Sequence, residues 1–269
     1  MRVPLYQIEA FADGPFTGNP AAVCPLEEWL PDNVMQAIAA ENNLSETAFF
    51  VPEGDGYRLR WFTPTTEVDL CGHATLASAF VVFGWLMPQR NEVTFQTQQA
   101  GALTVSRQGD LLALDFPARP PSPCPMPDGL AAALGRAPSA VLSARDYLAV
   151  YESADEIRAL TPDFAAIARL DRFAIIATAP GANGIDFVSR FFAPAWGVDE
   201  DPVTGSAHCT LIPYWAEKLG KNELFARQVS QRGGEVHCEL KGDRVKIGGH
   251  ATLYMKGEIY VARKKRVSA

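Results

Sequence analysis

The run from Ala74 to Phe83, ATLASAFVVF, carries no charge and almost no polar face. A helix that is apolar all round has to be buried on every side. The run is also too short to cross a bilayer, which takes about twenty residues. It predicts a core helix, closed by Gly84 as a C-terminal glycine cap. Cys71, Gly72 and His73 then stand at the helix start. Free backbone N–H groups and partial positive charge there attract an anion. Gly72 lets a ligand come close to the backbone.

The same design recurs further along. Arg60-Trp61-Phe62-Thr63-Pro64 parallels Arg190-Phe191-Phe192-Ala193-Pro194, and Val68-Asp69 parallels Val198-Asp199. After a small shift, Gly72-His73-Ala74 parallels Gly205-Ser206-Ala207, and the second helix ends near Gly220. Strand, proline, hinge and helix repeat in one order, which predicts an internal duplication. Two similar domains would enclose a cleft, with two helix N-termini facing one ligand. Pro213, inside the second helix, is expected to kink it or remove one bond.

Strands are expected at Pro4 to Ala10, Asn43 to Val51, Tyr57 to Thr63, Glu92 to Thr97, Ala102 to Gln108 and Leu111 to Phe116. Pro31 to Glu41 reads as a helix with proline at its first position. Ala118 to Gly129 holds five prolines. It is expected to form no regular structure and to link the halves. In the second half, helices are expected at Leu130 to Leu134 and from Thr161-Pro162-Asp163, with Thr161 as cap. Strands follow at Ala140 to Ser143, Asp146 to Tyr151, Phe173 to Thr178 and Ile185 to Ala193. More are expected at Arg227 to Gln231, Val236 to Leu240, Arg244 to Ile247 and Ala251 to Ala262. The basic ending reads as a solvated terminus.

Net charge of −7 argues against nucleic acid or an anionic membrane as partner. No signal peptide or membrane span is visible. The five scattered cysteines suit reduced thiols in a cytoplasm better than a disulfide framework. No dinucleotide fingerprint, P-loop or nucleophile elbow is present. Cys71/His73, His208-Cys209 and His237-Cys238 lack zinc spacing, so neither metal nor cofactor is expected. Single residues leave alternatives open. Asn19 reads as a turn asparagine. Glu46, beside Ala48, Phe49 and Phe50, is either an exposed strand-edge side chain or a partly buried carboxylate whose pKa burial would raise toward general acid–base use.

EAFADGPFTGNPAAV, LSETAFF, RWFTPTTEVDLCGHAT, DFVSRFFAP and EDPVTGSA together resemble the PhzF-like isomerase family of phenazine biosynthesis. That family is similar in fold to diaminopimelate epimerase. The resemblance implies an α+β fold of two similar domains, each a β-barrel-like sheet wrapped around a central helix. The expected division is residues 1–117, completed by a C-terminal strand near 257–269, and residues 118–256. It implies Glu46 as catalytic acid–base, with His73 and Asp201 as partners in proton handling. Gly72, His73, Gly205 and Ser206 would hold a substrate carboxylate, and Asn19 would line the pocket. It also implies a homodimer. The epimerase uses one cysteine from each half. Here Cys71 falls near the first position, but the second hinge, Glu200 to Ser206, has none. At a helix start the Cys71 thiol pKa should fall, although many cysteines are simply small buried hydrophobes, so contact with substrate stays open.

The expectation is therefore a cofactor-free cytoplasmic isomerase of a small carboxylic acid. The alternatives are an epimerase or racemase using Cys71 with Glu46 or Asp201, and a non-catalytic small-molecule binding protein.

Overall fold

The computed structural model describes residues 1–261, and in it the repeat becomes two copies of one strand order. Strand β1 (Arg2–Ala10) pairs antiparallel with β2 (Asn19–Pro25). Helix α1 (Asp32–Asn42) leads to β3 (Glu46–Glu53), parallel to β2. Antiparallel to β3 runs β4 (Gly56–Phe62), which turns back through β5 (Glu67–Val68). Helix α2 (Gly72–Val81) crosses to β6 (Glu92–Gln96), parallel to β4. An antiparallel meander through β7 (Ala102–Gln108) and β8 (Leu111–Pro117) completes the copy.

The second copy opens with β9 (Ser122–Pro123), α3 (Leu130–Leu134) and β10 (Ala140–Ser143). Antiparallel to β10 lies β11 (Tyr147–Val150). Two short helices, α4 (Ala154–Arg158) and α5 (Phe164–Ile167), lead to β12 (Ile175–Pro180), parallel to β11. After the antiparallel β13 (Phe187–Phe192), helix α6 (Gly205–Leu219) crosses to β14 (Glu223–Gln228), parallel to β13. The meander β15 (Gly234–Lys241) and β16 (Arg244–Gly249) follows. Two seams join the copies. Strand β16 pairs with β8, and β17 (Ala251–Tyr260) returns along the whole of β1. This return strand begins upstream of residue 257. Ala262 and the basic run Arg263 to Arg266 lie outside the described residues.

The fold is α+β, with each sheet wrapped around its own helix. Helix α2 packs against β1, β2, β3, β7, β8 and β17, and α6 against β14, β15 and β16. Almost every α2 residue is buried, as its all-round apolarity requires. Its two hydroxyls turn inward onto the helix: Thr75 Oγ1 donates to Cys71 O at 2.5 Å and Ser78 Oγ to Ala74 O at 2.7 Å.

The copies match in detail as well as in order. Arg60 grips Glu67 through two bonds of 2.7 Å while lying over Phe62. Arg190 grips Glu200 at 2.7 and 2.8 Å while lying over Phe192. At the helix starts, His208 Nδ1 lies 2.8 Å from Thr204 O, the counterpart of the bond from Thr75 to Cys71.

Local expectations differ from the structure in several places; β14, for one, spans Glu223–Gln228 rather than Arg227 to Gln231, and Asn19 opens β2 rather than a turn. Gly84 is no cap: α2 widens into a π turn, Val82–Leu86, in which Met87 N–H bonds to Val82 O. Those bonds satisfy the terminal carbonyls without left-handed backbone. The proline-rich link is not wholly irregular, because Ser122 and Pro123 pair with Ser143 and Leu142. A two-residue edge strand tolerates a missing donor. Pro31 stands just before α1 rather than inside it, and the cap of α5 is Asp163, whose carboxylate accepts from Ala166 N–H. Pro213 removes the bond that Cys209 O would receive, and Arg119 N–H takes that carbonyl at 2.8 Å. The proline thereby fastens the inter-copy link to α6.

Candidate active site

The two helix starts meet at glycine. A Cβ built on Gly72 would lie 3.6 Å from Gly205 Cα, and one on Gly205 3.7 Å from Gly72 Cα. The cap residues Cys71 and Thr204 are both extended and give no side-chain acceptor to the first turn. Two sets of helix-start N–H groups therefore converge at the junction of the copies, a geometry suited to one anion.

A polar relay crosses the same junction. Glu46 opens β3, and its Oε2 lies 3.1 Å from His73 Nε2. The approach is close but poorly aligned, and Oε2 counts among the buried oxygens with no directed hydrogen bond. Asn19 opens β2. Its Nδ2 faces Asp201 Oδ1 at 2.7 Å, Val203 O at 3.0 Å and His73 Nδ1 at 3.1 Å. Two of these atoms can only accept, which fixes the amide orientation. Asp201 Oδ2 accepts from Thr204 Oγ1 at 2.6 Å. Gln228 braces the far end: its Nε2 donates to Asp201 O at 2.6 Å, and its Oε1 accepts from Thr204 N–H at 2.9 Å.

Burial sets the electrostatics. It pushes the Cys71 thiol up to about 11, with the Glu46 charge adding to the shift. This overturns the expectation of a lowered thiol pKa, because removal from water beside a carboxylate outweighs the partial charge of the helix start. Burial, with help from Glu46, also raises the Asp201 carboxyl to about 6, against opposition from His73, Thr204 and Asn19. His73 loses some basicity to burial, but Cys71 and Glu46 more than compensate and hold it well above the usual histidine range. A thiol near 11 is neutral at pH 7, so Glu46 is the anion that matters to His73 there.

The structure brings Asn19, Glu46, Cys71, Gly72, His73, Asp201 and Gly205 into this one cluster. Ser206 stands beside it, with its Oγ 3.4 Å from Arg145 Nη2. Sequence reasoning missed Arg145. Bonds of 3.0 and 3.2 Å tie it to the buried Asp146, and its guanidinium lies over Phe173 at 4.3 Å. An Arg-Asp pair directly before a wholly buried strand was the available signal. Gln228 gave none, since a glutamine ending a strand is unremarkable. Glu46, Cys71 and His73 offer ligand atoms within 4.8 Å of one another, a grouping the motif search passed over. The surface cavities lined by Leu59, Arg60 and Glu67, or by Asp55, Arg90 and Glu92, share no residue with this cluster.

Comparison with known proteins adds family information. A family model described as phenazine biosynthesis-like protein, PhzC-PhzF, matches residues 8–257. An uncharacterised isomerase of Pseudomonas aeruginosa is 53% identical over 261 residues, covering 97% of this chain and all of that one. A PhzF-family crystal structure from Enterococcus faecalis superposes with a TM-score of 0.94 at 49% identity, over 97% of this chain and all of that one. A probable proline racemase from Agrobacterium radiobacter shares only the fold, with a TM-score of 0.61 at 12% identity, over 98% of this chain and 94% of that one.

Proposed function

The chain belongs to the phenazine biosynthesis-like PhzC-PhzF family, and from that premise we propose that it is a cofactor-independent isomerase of a small carboxylic acid. The observation that carries this reading is the buried Glu46 Oε2, held 3.1 Å from His73 Nε2 yet without a directed hydrogen bond. A carboxylate oxygen with a free lone pair, in a site screened from water, is placed to take a proton from carbon. The substrate carboxylate sits against the N–H groups at Gly72-His73 and Gly205-Ser206, with Arg145 supplying charge beside Ser206. Those donors stabilise the negative charge that spreads into the carboxylate as the C–H bond breaks. The protonated Glu46, its proton exchanging in part with solvent while it is held, then protonates another carbon. A double bond shifts, and atoms and charge balance without an external oxidant. His73 faces Glu46, and Asn19 bonds to Asp201 across the junction.

The epimerase alternative keeps one supporting observation, the Asp201 carboxyl at about 6 on the opposite copy. Its thiol version is disfavoured, because a Cys71 thiol at about 11 is a poor base at neutral pH. Incubating the enzyme in D2O with a panel of small hydroxy and amino acids, unsaturated members included, tests both. Isomerisation places deuterium on a different carbon, whereas epimerisation places it at the inverted centre. A non-catalytic binding protein places it nowhere.

A further inference from the structure

We infer that Arg119 and Arg145 form a second anion subsite beside the helix start at Gly205-Ser206, so that the enzyme takes a small diacid. One carboxylate lies against the glycine N–H groups, and a second carboxylate or a phosphate lies on the two guanidiniums. The subsite rests on the arginines alone; only its use by a substrate rests on the isomerase reading proposed above.

Both arginines address one face of α6. Ser206 and Cys209 lie one helical turn apart on that face. Arg145 Nη2 lies 3.4 Å from Ser206 Oγ, and Arg119 N–H bonds to Cys209 O at 2.8 Å. Their charges converge as well. Burial pushes the Cys209 thiol up to about 11, while Arg119 and Arg145 both oppose that shift and Asp146 adds to it. Burial likewise raises the Asp146 carboxyl, against Arg145 first and Arg119 after it. Two guanidiniums thus share one patch with one carboxylate, Asp146.

That carboxylate serves Arg145. It accepts from Nε and Nη2, and the guanidinium lies over Phe173, which is itself stacked on Trp196 at 4.8 Å. The Nη1 side of the fork is left for a ligand. Arg119 has no such partner: its Nη1 is buried and bonds to nothing among the described residues. A charged donor shut away from water without an acceptor costs free energy, and in a native protein a ligand or an ordered water usually explains it. An anion fits better than a water, because the patch carries one more positive charge than negative. Guanidiniums hold carboxylate and phosphate through paired N–H groups, which makes either one the expected second acid. The first acid stays at Gly72 and Gly205, directly before Ser206, so the two subsites adjoin and the diacid is short.

Calorimetric titration of the enzyme tests the inference. The probes are dicarboxylates from malonate to adipate, phosphonocarboxylates of the same lengths, and the matching monocarboxylates. At least one diacid is expected to bind about tenfold tighter than its monocarboxylate, the scale of one hydrogen bond to a charged group. The tighter of the carboxylate and phosphonate sets names the second acid. Arg119→Gln should remove that advantage and leave monocarboxylate binding unchanged. It should also unfold at or above the wild-type temperature, since it deletes an unpaired buried charge. Arg145→Lys keeps the charge beside Asp146 but loses the fork, so it should lower the same advantage, and it serves if Arg119→Gln misfolds. Diacids no tighter than monocarboxylates at every length overturn the subsite. So does an Arg119→Gln protein that weakens both sets alike, or that loses stability while keeping the diacid preference. Binding needs no turnover, so the two readings fail separately. Hydroxy and amino diacids that bind through Arg119 yet exchange no deuterium in D2O remove the isomerase and leave the subsite. Exchange confined to monocarboxylates removes the diacid substrate and leaves the isomerase.

Discussion

At the scale of single residues, the proposed chemistry turns on which side chain moves the proton. Glu46→Gln keeps size and hydrogen-bonding shape but removes the titrating group. It is expected to slow solvent deuterium exchange by at least about a hundredfold, the usual scale of one general acid–base contribution. Cys71→Ala should cost much less, because its buried thiol is neutral at working pH. The reverse ranking would transfer the chemistry to the thiol. Asp201 carries a separate pH signature. Its folded-state carboxyl, at about 6, lies above the ordinary 3.8, so the folded chain holds that proton more tightly than the unfolded chain. The stabilisation it gives is complete below about 3.8 and is lost as pH rises through about 6. Denaturant midpoints should therefore shift in favour of Asp201→Asn, relative to wild type, between about pH 4 and about pH 7. A flat difference would show that burial does not control this carboxyl. The residues that now form the relay stood out in the sequence because their motif blocks did. Arg145, Thr204 and Gln228 did not, since each acts through a partner distant in sequence, and no local pattern encodes such a pairing.

At the scale of elements, α2 was legible because an uncharged apolar run has only one stable place to go. Its ending was not legible, because a glycine after an apolar run marks a cap only if the backbone turns left-handed, and here the helix widens instead. The turn after β1 was also hidden. Phe11 adopts a left-handed φ of 57° while fully buried, an uncommon strain for a bulky residue. Space for its ring exists because β16 ends in glycine: a Cβ on Gly249 would lie 2.3 Å from Phe11 Cδ1 and 3.1 Å from Phe11 Cα. The ring also reaches toward Gly205, so this packing supports the second helix start. Gly249→Ala should destabilise the protein by about 1–3 kcal/mol, the usual cost of overpacking a filled core. Thermal or urea unfolding measures it, and a neutral outcome would mean that the strained turn relaxes freely.

At the scale of the whole molecule, the duplication visible in the sequence accounts for most of the architecture: two copies of one strand order, each closing on a helix. The seams were less legible, because pairing β8 with β16, or β1 with β17, depends on partners more than a hundred residues apart in sequence. No helix among the described residues is long and apolar enough to cross a membrane. The last expectation concerns assembly. The family resemblance implies a homodimer, and β17 offers a surface for one. Among the described strands it pairs only with β1, leaving its other edge free over ten residues. Leu253, Tyr254 and Met255 are exposed along it, and Phe16 packs edge-on against Tyr254. A long free edge carrying apolar side chains is unstable alone in water and pairs readily with a second copy. Two-fold symmetry would let β17 meet its own equivalent, as an isologous contact requires. Light scattering is then expected to return twice the chain mass of 29.2 kDa. A charge on the edge, in Tyr254→Lys, should shift the protein toward monomer and remove the concentration dependence of its unfolding temperature. A protein that stays at 29.2 kDa at all concentrations would rule out the dimer. A dimer untouched by Tyr254→Lys would place the interface elsewhere.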